Sequence, residues 1–178
     1  MPDLEITTLG GGCFWCLEAV YRETKGVISA VSGYMGGPGP NPSYRDVCSG
    51  STGHVEVVQV TFDPAIITFR EILEIFFVIH DPTTLNRQGN DSGTQYRSVI
   101  FTHSDAQLET SRTLIAELAA LGAFPDPVVT ALEPAVTFWP GEDYHQDYLN
   151  KNPYQPYCRF VVVAKLEKFR KTFTTRRK

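Results

Sequence analysis

The sequence predicts an α+β fold, a two-layer sandwich with helices laid over a mixed sheet and a ferredoxin-like core. Three observations carry this. Strand-length and helical apolar patterns follow in the order strand, helix, strand, strand, helix, strand, helix, strand. Two of the helices open on capping-box patterns. No internal repeat or linker interrupts the 178 residues, so residues 1–178 read as one domain with a basic tail from about residue 165.

The elements follow in order. Residues 4–9 alternate weakly and form a short strand entering the Gly10-Gly11-Gly12 turn. Phe14, Leu17, Val20 and Tyr21 then recur at helical spacing, with Gly26 placed as a cap. Residues 27–34 form a second strand, running into a Gly/Pro-rich loop over residues 36–42. Residues 54–62 form a third, with Val58, Val60 and Phe62 on one face. Thr68 and Glu71 open an apolar helix that runs through Ile79. Residues 80–95 are polar and longer than a simple turn, a length usually reserved for function. A short strand over 98–102 leads to a second capping box, Ser104 to Gln107, and a helix stopping at Gly122. Residues 128–138 form a strand interrupted by Pro134, residues 143–151 a short helix, and residues 159–166 a last apolar stretch of strand-like character.

Composition narrows the function classes. Hydrophobic residues make up 42% and charged residues 20%, which excludes a disordered chain. A net charge of −4 gives no reason to expect nucleic acid as partner. Seven Lys and Arg lie between residues 165 and 178 against one acid, Glu167, and read as a solvated terminal helix with a fraying tail. No apolar run approaches the ~20 residues that cross a bilayer, and the first residues lack a secretory pattern. The expectation is a cytoplasmic monomer with no membrane association. Four cysteines, Cys13, Cys16, Cys48 and Cys158, are too few for a disulfide-stapled secreted domain.

Cys13 stands where the glycine turn meets a helix start. Exposed backbone N–H groups and the positive dipole end favour a thiolate there, lowering the pKa from ~8.5 toward ~3.5–7.5. The glycines, lacking side chains, would let a substrate approach the backbone. Cys16 follows one helical turn later, within reach of a disulfide. An inert buried pair and a zinc knuckle compete with redox chemistry, but no second cysteine pair or His pair completes a metal site, so no metal is expected. Phe14 and Trp15, between the two cysteines, offer apolar faces for a pocket. Redox chemistry is favoured, on a substrate this segment leaves open. His54, His80, His103 and His145 read as structural or surface residues, and Cys48 as a packing cysteine.

The segment Gly12-Cys13-Phe14-Trp15-Cys16 resembles the signature of the A-class peptide methionine sulfoxide reductases. Further blocks similar to that family follow in its order: Gly33-Tyr34-Met35-Gly36-Gly37, Pro42-Ser43-Tyr44, Val47-Cys48-Ser49-Gly50, Thr52-Gly53-His54-Val55-Glu56-Val57, His80-Asp81-Pro82-Thr83, Gln88-Gly89-Asn90-Asp91-Ser92-Gly93-Thr94-Gln95-Tyr96-Arg97-Ser98 and Glu142-Asp143-Tyr144-His145-Gln146. The resemblance implies thioredoxin-dependent reduction of the S epimer of methionine sulfoxide, free or in oxidised proteins, with no bound cofactor. It implies Cys13 as nucleophile, Phe14 and Trp15 around the substrate methyl group, and Glu56 as the acid that protonates the sulfoxide oxygen. Tyr44 and Tyr96 become its hydrogen-bonding companions, and Asp91 a residue that orients the site. Without the resemblance, a strand glutamate such as Glu56 reads as a solvent-face residue. Beside aromatics, it would have its pKa raised by desolvation. A sulfenic acid on Cys13 would be resolved by Cys16, adjacent in the helix, or by Cys158, on a Pro-rich segment able to deliver a thiol from a distance.

Overall fold

The structure, a computed structural model, describes residues 3–178. Strand β1 (Glu5–Gly10), helix α1 (Phe14–Arg22), β2 (Val27–Met35), a short helix α2 (Tyr44–Cys48), β3 (Val55–Phe62) and α3 (Phe69–Ile79) open the chain. A two-residue hairpin, β4 (Arg87–Gln88) and β5 (Asp91–Ser92), precedes β6 (Val99–Thr102) and α4 (Asp105–Ala120). β7 (Ala131–Pro134), β8 (Trp139–Pro140), α5 (Tyr148–Lys151), a π-helical turn (Cys158–Val162) and α6 (Val163–Thr172) complete it. The main sheet has the order β7-β6-β1-β3-β2-β8, antiparallel except for the parallel β6–β7 pair, and is therefore mixed as the pattern predicts. Its four inner strands, with α1 after β1 and α3 after β3, form a βαββαβ unit.

The period-2 alternation of β3 positions the site. Val58, Val60 and Phe62 face the helices and join a core with Leu9, Leu17, Ile72, Phe76 and Phe169. Val55 and Val57 face the other side, packed with Met35, Val99 and Phe101 under Ala131, Ala135 and Phe138. Glu56 has the parity of the helix-facing set, so the sheet turns it inward toward α1. The strand partner of Glu56 is Tyr34 on β2, a buried ring.

Caps fix the helix starts. Thr68 and Glu71 form the reciprocal box expected of them, each side chain accepting the other's backbone N–H. At α4 the box is incomplete. Ser104 accepts from the Gln107 N–H, but the Gln107 side chain accepts from the His103 N–H and donates to the Ile6 carbonyl, tying α4 to β1.

Four readings of the sequence change. Residues 128–138 yield only the four-residue β7, and β8 begins beyond them, because the parallel edge pairing ends at Pro134. Residues 143–151 are not one helix; Asp147, at φ +57°, breaks them into a 3₁₀ turn and α5. Residues 159–166 are helical, not strand-like. Cys158, Val162, Leu166 and Phe169 are all buried at helical spacing, a period hidden by the run Val161-Val162-Val163. The basic tail does not fray. The Lys178 N–H donates to the Glu23 carbonyl at 2.7 Å, Thr24 bridges Arg177, and Arg176 pairs with Glu71. The chain end is thus folded back on the turn after α1.

Candidate functional site

β1 delivers the chain into the glycine turn, where Gly12 adopts φ +89° and its N–H donates to the Tyr96 carbonyl at 3.1 Å. A Cβ on Gly12 would lie 2.9 Å from the Gln88 Cβ, and one on Gly11 would meet His80 at 2.9 Å. The turn is therefore glycine for close packing of protein against protein, not to leave room for a substrate. Gly12→Ala is expected to destabilise the fold by about 1–3 kcal/mol, through left-handed strain and the Gln88 contact. Urea unfolding checks this; an unmoved midpoint would mean that Gln88 yields at no cost.

Cys13 is the N-cap residue of α1, and Phe14 the first residue inside. The Phe14 N–H donates to Glu56 Oε1 at 3.2 Å across from β3, so a carboxyl group, not the thiol, caps the helix. Cys13 is 8% exposed. Burial pushes its thiol well up, and the Cys16 thiol hydrogen-bonded to it and the Glu56 charge push the same way. This reverses the lowered pKa expected from the helix start alone, because desolvation outweighs the dipole. Cys16 moves the opposite way. By accepting from Cys13 it is held below the usual thiol value despite its burial, with help from Lys165.

Glu56 is 1% exposed, and desolvation raises its pKa to about 8, with the Phe14 N–H pulling down and Asp91 and Cys16 pushing up. Its second oxygen, Oε2, has no hydrogen-bond partner among the described residues. A neutral carboxyl group at pH 7 with one unsatisfied buried oxygen is a poised proton donor.

An aromatic wall surrounds these groups. Phe14 is fully buried, with Tyr44 stacked at 6.2 Å and Tyr34 tilted at 5.6 Å. Trp15 lies flat on Tyr148, ring centres 3.7 Å apart and planes 2° from parallel. Tyr44 opens α2, a helix in a stretch to which the sequence pattern assigned no element; Ser43 caps it, and the Tyr44 N–H donates to Glu142. The Tyr34 hydroxyl donates to the other Glu142 oxygen at 2.8 Å. Burial, reinforced by the Glu56 charge, raises the Tyr44 and Tyr96 phenols, so both hydroxyls remain donors. Cys48 is half-buried; burial pushes its thiol up while the Tyr44 and Tyr96 hydroxyls pull it down.

Asp91, on β5, accepts the Tyr157 hydroxyl at 2.5 Å. Tyr157 in turn sets its ring edge-on to Trp15 at 5.9 Å. Cys158 follows it, 0% exposed, in one cluster with Cys13, Phe14 and Cys16. The Pro-rich segment keeps Pro153, Tyr154 and Pro156 on the surface but turns Cys158 inward, with the Cys158 N–H on Gln155, instead of forming an extended arm. Upstream, Gln146 bonds both the N–H and the carbonyl of Ser32, and the Asp147 N–H donates to Glu18 at 2.6 Å.

All nine residues singled out in the sequence lie on or beside this cluster. The sequence reading missed Tyr34, Glu142, His145 and Tyr157. The blocks from Gly33 to Gly37 and from Glu142 to Gln146 were the available signal for Tyr34, Glu142 and His145, but spacing alone gave no role. A groove of about 1140 Å³ lined by Phe77, Leu118, Phe124 and Lys168 lies among α3, α4 and α6 and includes none of the cluster. Among the described residues no group of His, Cys, Asp and Glu could hold a metal ion, and no helix is long and apolar enough to cross a membrane.

The family model for peptide methionine sulfoxide reductase matches residues 5–177. The peptide methionine sulfoxide reductase MsrA of Polynucleobacter asymbioticus is 60% identical over 173 residues, covering 97% of this chain and 91% of that protein. That of Saccharolobus solfataricus is 57% identical over 170 residues, covering 96% and 95%. Among solved structures, Mxr1 from Saccharomyces cerevisiae in reduced form aligns at TM-score 0.80 and 40% identity, covering 88% of this chain and 90% of that one. Mxr1 in complex with Trx2 aligns at TM-score 0.57 and 28% identity, covering 83% and 88%. By model, sequence and structure alike, the chain belongs to the peptide methionine sulfoxide reductase family.

Proposed function

We propose that this protein reduces the S epimer of methionine sulfoxide, free or in oxidised proteins, by attack of Cys13 on the sulfoxide sulfur. The observation that carries it is the pairing of a buried thiol with Glu56 at one helix N-terminus, its carboxyl group neutral at pH 7 and Oε2 unsatisfied. Phe14 and Trp15 hold the S-methyl group. Oε2 protonates the sulfoxide oxygen, which is otherwise a poor leaving group, while the Tyr44 and Tyr96 hydroxyls steady it. The Cys13 proton passes to Cys16 as the new S–S bond forms. The protonated oxygen then passes from the substrate sulfur to the Cys13 sulfur as the S–O and S–S bonds to the substrate break, so methionine leaves reduced and Cys13 is left as a sulfenic acid. Asp91 orients the site through Tyr157.

Cys16 resolves the sulfenic acid. Its thiol lies one helical turn from Cys13 in the same buried cluster, and its attack forms a disulfide and releases water that carries the Cys16 proton. Glu56 regains a proton from solvent. An external dithiol then reduces the disulfide; the Mxr1 structure with Trx2 supports thioredoxin in that role, and the reaction needs no bound cofactor. Four free thiols suit a reducing compartment, and we place the enzyme in the cytoplasm.

The test is anaerobic single turnover with each separated epimer and no reductant. Methionine is expected from the S epimer and none from the R epimer. No methionine from either would sink the proposal; equal yields would remove the stereochemical assignment.

A further inference from the structure

His145 is 0% exposed and sits inside the aromatic wall, its ring 4.3 Å from Tyr44, 4.9 Å from Phe14 and 5.7 Å from Trp15. Its Nδ1 accepts the Trp15 indole N–H at 3.0 Å. An indole nitrogen only donates, so Nδ1 must carry a lone pair and the ring's single proton must be on Nε2. That Nε2 is buried and has no partner among the described residues. A histidine kept in this condition forgoes one hydrogen bond to make another, and the bond it makes is to Trp15.

The stacking around Trp15 leaves that bond a specific task. Tyr148 lies 2° from parallel with the indole, which fixes its plane but not its rotation or sliding within that plane. The His145 bond is directional and removes this freedom. We infer that neutral His145 is a positioning residue: it sets the in-plane orientation of Trp15, the wall of the methyl cage, and its protonation releases that wall. In the imidazolium both ring nitrogens donate, so Nδ1–H would face the indole N–H donor to donor. The titratable groups facing the ring are Tyr44 from α2, Tyr148 from α5, and Tyr144 and Glu142 from its own turn; α1 presents Phe14 and Trp15 and no charge. Burial lowers the His145 pKa and the Glu142 carboxylate opposes it, so release occurs on the acid side of the ordinary histidine value of 6.5.

The effect on substrate rests on the proposed reductase activity, whereas the effect on Trp15 does not. The chain has two tryptophans, so Trp139→Phe leaves Trp15 as the sole indole fluorophore. In that background, Trp15 emission is followed from about pH 4 to about pH 8. The KM and kcat for the S epimer are measured over the same range. A single emission step is expected below pH 6.5, with KM rising about tenfold across it and kcat much less affected. His145→Asn, whose Oδ1 can accept from the indole and does not titrate, is expected to keep the low KM and flatten both profiles. His145→Leu should show the raised KM at every pH. An emission profile without a step, or a step that persists in His145→Asn, overturns the inference, and so does a wild-type KM in His145→Leu. If no methionine forms at all, the reductase reading fails and the emission step alone decides for or against the His145–Trp15 coupling. Emission needs no substituted histidine, so a variant that fails to fold leaves that test intact.

Discussion

Glu56→Gln is expected to slow the first turnover of methionine sulfoxide by about 10²–10⁴-fold, the usual contribution of a positioned acid. Binding should change little, since the amide oxygen can still accept the Phe14 N–H and the aromatic wall is untouched. Rapid-quench measurement of methionine under single-turnover conditions checks this, and a near-normal rate removes Glu56 as the proton donor. The wild-type rate should also fall as pH rises through about 8, where the carboxyl group loses its proton. The same burial makes a second, independent prediction for stability. A glutamate pKa of 4.5 in the unfolded chain and about 8 in the fold means that the fold binds the extra proton between those values. Stability attributable to Glu56 is therefore present below pH 4.5 and lost as pH rises through about 8. Measured against Glu56→Gln, wild type should lose roughly 3–5 kcal/mol across that window, at 1.36 kcal/mol per unit. Equal pH dependence in the two proteins would mean that the carboxyl group is not held neutral.

Counting methionine without reductant separates the cysteines. Wild type is expected to yield two equivalents per enzyme molecule. The first turnover leaves the Cys13–Cys16 disulfide; Cys158, buried in the same cluster, attacks Cys16 and returns Cys13 as a thiolate; a second sulfoxide then reacts. Cys158→Ser and Cys16→Ser should each stop at one equivalent, and Cys13→Ser should give none. One equivalent from wild type would show that the disulfide stays where it first forms. A Cys13–Cys158 disulfide in Cys16→Ser, in place of a persistent sulfenic acid, would transfer the resolving role to Cys158.

The fold was legible wherever period and caps agreed, as in α1, α3 and β3. It was illegible where tertiary contacts overrode them. Nothing local marks β8, which exists only because Tyr34 and Gly33 pair with it. The helical stretch after Cys158 carried its period in the buried residues, but three consecutive valines masked it. Glu56 is the more instructive case. The alternation that put Val58, Val60 and Phe62 on the core face also put Glu56 there, so an inward carboxyl group was readable from parity without any resemblance. For Cys13, the helix start was legible but the sign of its pKa shift was not, since burial and the neighbouring thiol are products of the packed chain. His145 lay in a recognised block, yet its bond to Trp15 spans 130 residues of sequence.

The folded-back chain end changes how a disulfide exchange in this protein should be timed. A thiol near the end of a loose tail must search a volume that grows with tail length, and its effective concentration falls accordingly. Cys158 lies on a span held on one side by Gln146 and Asp147 against Ser32 and Glu18, and on the other by Lys178 and Arg176 against Glu23 and Glu71. Tethered at both ends, its sulfur searches little space, so the proposed exchange of Cys158 with Cys16 is expected to be timed by thiolate chemistry, not by diffusion of an arm.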